Sequence, residues 1–117
     1  MDETETNIRA HQIETLEFLS SPAQQKKFAS EVFYKSYASE FACWWFDMFY
    51  PDEPHFPVMF NPVELRAIRE FAEVFDGQPS MLFDDWPIDE LLGMKEWKIV
   101  VSAAKKALLD MNMNLPA

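Results

Sequence analysis

Apolar residues recur along this chain at helical spacing, and nowhere with the strict alternation of a half-buried strand. Over residues 7–19, Ile8, Ile13, Leu16 and Leu19 fall near one face of a helix. Ser21-Pro22-Ala23-Gln24 then supplies a capping serine, a proline at a position whose N–H has no helical partner, and a glutamine where a capping box wants one. The pattern predicts a long second helix over 22–48. Tyr34, Tyr37, Ala38, Phe41, Trp44, Trp45 and Met48 make one stripe on it, and Phe28, Ala29, Val32 and Phe33 a second. A helix apolar on two sides belongs at the centre of a bundle. Cys43 lies in the most apolar part of that run and is expected to be a buried, inert thiol, because no basic neighbour favours its thiolate.

Pro51, Pro54, Pro57 and Pro62 punctuate the next stretch and predict an extended connector. Asn61-Pro62-Val63-Glu64 repeats the capping logic and opens a helix over 62–76, stopped at Gly77. Its apolar face reads Val63, Ala67, Ile68, Phe71, Val74 and Phe75. On the other face Arg66 stands four residues before Glu70, and Arg69 four before Glu73, so each arginine is expected to pair on its own helix. Gly77 and Gly93 bracket a segment without Lys or Arg, read as a loop to about Trp86 and then helical turns over 87–92. A last helix over 94–111 turns Trp97, Val100, Val101, Ala104, Leu108 and Met111 to the core and Lys98, Lys105 and Lys106 to water; 112–117 reads as a frayed end. With two glycines, and the one Asp-Gly pair (Asp76-Gly77) already read as a helix stop, there is no hairpin signal. The expected fold is all-α, a compact single-domain bundle of about five helices around a long central helix, one domain over 1–117.

Composition supports that reading. At 117 residues, 49% hydrophobic and 15% aromatic, the chain can build one core without a metal or disulfides. Cys43 is the single cysteine, so an internal disulfide is impossible and a reducing compartment fits. No apolar run has the length of a membrane span, and the first twenty residues carry acids where a signal peptide has a basic and then an apolar region. The expected location is cytoplasmic.

Charge changes the picture most. The net charge is −10, and residues 36–94 hold twelve acids against Arg66 and Arg69 alone, whereas acids and bases balance over the rest of the chain. If Glu70 and Glu73 occupy the two arginines, Glu40, Asp47, Asp52, Glu53, Asp84, Asp85, Asp89 and Glu90 have no local cation. A one-signed surface destabilises the folded state by self-repulsion, while raising solubility and steering a partner of opposite sign. Met81, Leu82, Phe83 and Trp86 lie among these acids, and aromatic anchors ringed by carboxylates suit a basic protein surface.

Motifs for chemistry are absent. His11 and His55 have no second ligand at zinc spacing, the acids of 84–90 lack the alternation and glycine of a calcium loop, and two glycines build no phosphate-binding loop. Clustered Lys and Arg for phosphates are missing, so nucleic acid is not an expected direct partner. Neither a catalytic site nor a cofactor nor a metal is expected.

In size, acidity, its lone Cys43, its lack of catalytic motifs and its acidic-aromatic stretch over 83–92, the chain resembles the small acidic immunity proteins of bacterial toxin–immunity pairs, particularly those of contact-dependent growth inhibition. The resemblance implies 1:1 binding and neutralisation of a cognate toxin domain, often a basic nuclease, by a protein that is monomeric when free and makes no use of a membrane. Partner contacts are expected from Asp52, Glu53 and Asp76, and from Phe83, Asp84, Asp85, Trp86, Asp89 and Glu90. The alternative reading is another acidic protein-binding inhibitor, such as a phage-encoded nucleic-acid mimic or an antitoxin, or a secretion chaperone.

Overall fold

Short polar side chains set where four of the helices begin. In the computed structural model, which describes residues 2–116, the Asp2 carboxylate accepts from the Glu5 amide at 2.8 Å and opens α1 (Glu3–Leu19). Ser21 does the same for α2 (Pro22–Glu31) and Ser36 for α3 (Tyr37–Phe46). Asn61 opens α4 (Pro62–Asp76) with the reciprocal capping box that the sequence predicts. Its side chain accepts from the Glu64 amide at 2.8 Å, and the Glu64 carboxylate accepts from the Asn61 amide at 3.0 Å. The short α5 (Ile88–Gly93) and the C-terminal α6 (Lys95–Asp110) follow without side-chain caps. Two 3-10 turns, Pro57–Met59 and Ser80–Phe83, complete an all-α bundle, with no strand among the described residues.

One contiguous core holds the helices together. α6 lies along α4 and α1 and contributes Trp97, Val100, Ala104 and Leu108, all fully enclosed. Facing them are Leu16 and Leu19 of α1, Phe41 and Trp45 of α3, and Ile68, Phe71 and Phe75 of α4. Along α4 the apolar face is nearly as expected. Val63, at its exposed first turn, points to solvent instead, and Ala72 takes a core position.

The long central helix over 22–48 does not form; α2 and α3 are separate, joined by non-helical backbone at Val32–Ser36. Three causes coincide. Val32-Phe33-Tyr34 is a run of β-branched and aromatic residues with poor helix propensity. Ser36 offers a fresh cap. Aromatic packing also favours the break: in an unbroken helix Phe28 and Tyr34, six residues apart, would be separated by about 120° around the axis. In the structure their rings stack at 5.9 Å, 13° from parallel, and the Tyr37 hydroxyl closes the link by donating to the Val32 carbonyl at 3.1 Å.

Cys43 also departs from expectation. α3 buries Tyr37, Ala38, Phe41 and Trp45; Cys43, two residues and about 200° on from Phe41, faces solvent. It is exposed, not a buried thiol.

Nor is the proline-rich connector extended. It turns repeatedly, with amide bonds from Glu53 to the Tyr50 carbonyl, Phe56 to Glu53 and Met59 to Phe56. This folding buries Phe56, Met59 and Phe60. The first two residues of the end expected to fray, Asn112 and Met113, instead close α6, while 114–116 have no regular structure. Asn112 adopts φ 61°, its amide bonds the Leu109 carbonyl and the Met113 amide bonds the Leu108 carbonyl, a Schellman closure with Met113 packed on the core. Ala117 lies outside the described residues. None of the described helices is long and apolar enough to cross a membrane.

Candidate functional site

Ion pairing in the fold differs from the same-helix scheme. Arg9 of α1 reaches the largely buried Glu64 at 2.9 Å while lying over the Phe60 ring. Glu70 is turned toward α6 and pairs with Lys106 at 3.4 Å, not with Arg66. Arg69 extends to the loop after α3 and donates to the Pro51 carbonyl at 3.1 Å, so the expected Arg69–Glu73 pair does not form either. Asp89 has a cation after all, Lys26 of α2 at 3.4 Å, and the Glu40 carboxylate accepts from the Trp44 indole at 3.1 Å. Both Lys26 and Asp89 are well exposed, and a pair of that kind contributes little to stability.

Lys106 also bonds Asp110 at 2.6 Å. Hydrogen bonds to Asp110 first and Glu70 second hold the Lys106 ammonium above its ordinary pKa.

Asp47, Asp52, Glu53, Glu73, Asp76, Asp84, Asp85 and Glu90 are all exposed and have no cation within 4.0 Å among the described residues. Two hollows hold three of them, Glu73, Asp76 and Asp85, beside aromatic side chains. A cleft of about 380 Å³ lies between the end of α3 and α4, with Phe46, Phe49 and Ala72 as its apolar lining and Glu73, Asp76 and Arg69 as its charged groups. Pro51 also lines it, so Asp52 and Glu53 continue directly from its wall. The second hollow, about 450 Å³, lies where the α2–α3 link meets the segment before α5. Phe33, Tyr34, Tyr37 and Trp86 line it, with Asp85 and Lys35 as its two charged groups.

The expected contact residues thus divide. Asp76 lines the cleft, with Asp52 and Glu53 following its Pro51 in sequence; Asp85 and Trp86 line the groove, with Asp84 beside them in sequence. Asp89 and Glu90 lie on α5, next to the groove-lining Ile88. Phe83 serves the fold: its half-buried ring lies 6.2 Å from Phe75, and its carbonyl accepts from the hydroxyls of Ser36 at 2.9 Å and Ser39 at 3.2 Å. Trp86 keeps an accessible ring face, held in place by its indole N–H donating to the Met81 carbonyl at 2.8 Å. Sequence reasoning did not single out Phe33 and Tyr34, because it placed them on a continuous helix; the signal that could have found them was the Val32-Phe33-Tyr34 run ahead of the Ser36 cap.

Among the described residues no group of three or more His, Cys, Asp or Glu side chains is placed to hold a metal ion. No family model, curated protein or solved structure matches the chain.

Proposed function

We propose that this protein is an inhibitor of the immunity type: a cytoplasmic, non-catalytic domain that binds a basic protein, best a nuclease-type toxin domain, one to one. What supports the reading is that six exposed carboxylates between Asp52 and Asp85, none with a cation within 4.0 Å, lie in or beside two hollows with aromatic walls. Folding gains nothing from such a set, since like charges repel. A basic partner gains both an attractive field that speeds encounter and aromatic surface on which to dock. On a nuclease the carboxylates occupy the place of substrate phosphates, so binding and inhibition are one event.

Affinity capture from the source organism tests this, with the protein on one column and its Asp76→Lys, Asp84→Lys, Asp85→Lys variant on another. The expected result is a protein of isoelectric point above about 9, retained by the first column and not the second, released by salt, and forming a 1:1 complex by light scattering. Retention of the same proteins by both columns, or of acidic proteins only, contradicts the proposal.

A further inference from the structure

Breaking the α2–α3 helix sets one large side chain outward. Phe33 is 82% exposed, the most exposed large hydrophobic residue among those described, and Val32 beside it is also open to solvent. The link itself does not require phenylalanine there: it is closed by the Tyr37 hydroxyl on the Val32 carbonyl and by the Phe28–Tyr34 stack, neither of which uses the Phe33 ring. Phe33 and Trp86 both line the groove, as does Asp85, which has no cation within 4.0 Å.

We infer that this groove anchors an arginine side chain of the basic partner, a deepening that rests on the acidic-binder reading above. A purely apolar occupant would strip water from the Asp85 carboxylate and return no hydrogen bond, which is costly. A carboxylate occupant would face Asp85, with Asp84 adjacent and Glu90 on the neighbouring helix, against Lys35 alone. A cation resolves both problems. Between the two cations, guanidinium is planar, weakly hydrated and stacks on aromatic faces, and its fork matches a carboxylate in two hydrogen bonds; ammonium is a strongly hydrated point charge. A groove with aromatic walls and one free carboxylate therefore selects arginine. Lys35 is the competing cation in the groove; it is exposed, on a flexible stem, and makes no ion pair within 4.0 Å, so it can be displaced.

The test is a titration of the full chain with nona-arginine and, separately, nona-lysine, followed by amide and indole NMR shifts. With nona-arginine the largest shifts should fall on the Trp86 indole and the Phe33 amide, and binding should be tighter than with nona-lysine by about fivefold or more. Phe33→Ala should abolish that preference while leaving the rest of the spectrum, and hence the fold, unchanged. Lys35→Ala should tighten nona-arginine binding. Shifts spread over the acidic surface without a focus at Trp86, or a preference that survives Phe33→Ala, would overturn the anchor and leave the acidic-binder reading standing. Failure of both peptides to bind overturns the two together.

Discussion

The side chain of Gln25 accepts a hydrogen bond from the indole N–H of Trp97 at 2.9 Å, and neither group is exposed to solvent. The same amide donates to the carbonyls of Phe18 at 3.0 Å and Leu19 at 3.1 Å, two of the four that end α1 without an intrahelical partner. One glutamine thus joins α1, α2 and α6. Replacing it by leucine keeps the volume roughly constant but orphans a buried indole N–H and the Leu19 carbonyl. Gln25→Leu should therefore cost about 2–4 kcal/mol in urea unfolding; a loss under about 1 kcal/mol would mean that the network contributes little.

Two buried tryptophans should answer differently to phenylalanine. The Trp97 indole N–H has Gln25 as its acceptor, whereas that of Trp45 is buried with no hydrogen-bond partner. Trp97→Phe strands the Gln25 oxygen; Trp45→Phe removes an unpaired donor and leaves only a smaller ring against Phe71 and Phe49. Thermal unfolding should rank Trp97→Phe as the more destabilising, and the reverse order would contradict the assigned bonding. Truncation to alanine should cost about 3–5 kcal/mol at Trp45 and less at the half-buried Trp44.

Ser36 has two tasks, capping α3 and binding the Phe83 carbonyl. Ser36→Ala removes both and should cost about 1–2 kcal/mol. Ser36→Asp restores an acceptor for the cap but has no proton for the carbonyl, so its stability should fall between alanine and wild type. Hydrogen exchange at residues 37–40 and 80–83 reads the two tasks separately; equal protection in all three proteins would contradict this division.

The α4–α6 contact at Lys106 carries a pH signature. Its pKa is raised in the fold by Asp110 and Glu70, so its stabilising contribution is complete below the ordinary lysine value of 10.5 and is lost as pH climbs through the higher folded value. The stability gap between wild type and Lys106→Gln should hold constant from neutral pH to about 10 and close above it. A gap that widens with alkali has the wrong sign for this bonding.

How far the chain could be read without its structure depends on what each residue answers to. Local rules placed the Asn61–Glu64 capping box, the bounds of α4 and the core face of α6, because caps and 3.6-residue periodicity act within a few turns. The break after α2 escaped because its signals conflict: the stripe from Tyr34 to Trp45 continues through it in periodicity, while the Phe28–Tyr34 stack that rewards the break exists only in three dimensions. Phe33 went astray with it; Cys43 did so because it lies within an apolar run, although its own side of α3 is the open one. Charge counting located the acidic middle half of the chain, but not the pairings of Glu70 with Lys106 and Asp89 with Lys26, in which each cation comes from another helix. The division of the expected contact residues between a cleft and a groove is likewise a tertiary property.

Whether free carboxylates in the middle of the chain recruit a cationic protein is decided most directly by association kinetics with the captured partner. Stopped-flow rates for wild type should fall steeply as salt rises from low to physiological strength. An Asp84→Lys, Asp85→Lys, Glu90→Lys variant, equally stable, should associate at least about tenfold more slowly at low salt and with a flattened salt dependence. Equal rates for the two proteins at low salt would show that these charges do not guide the encounter.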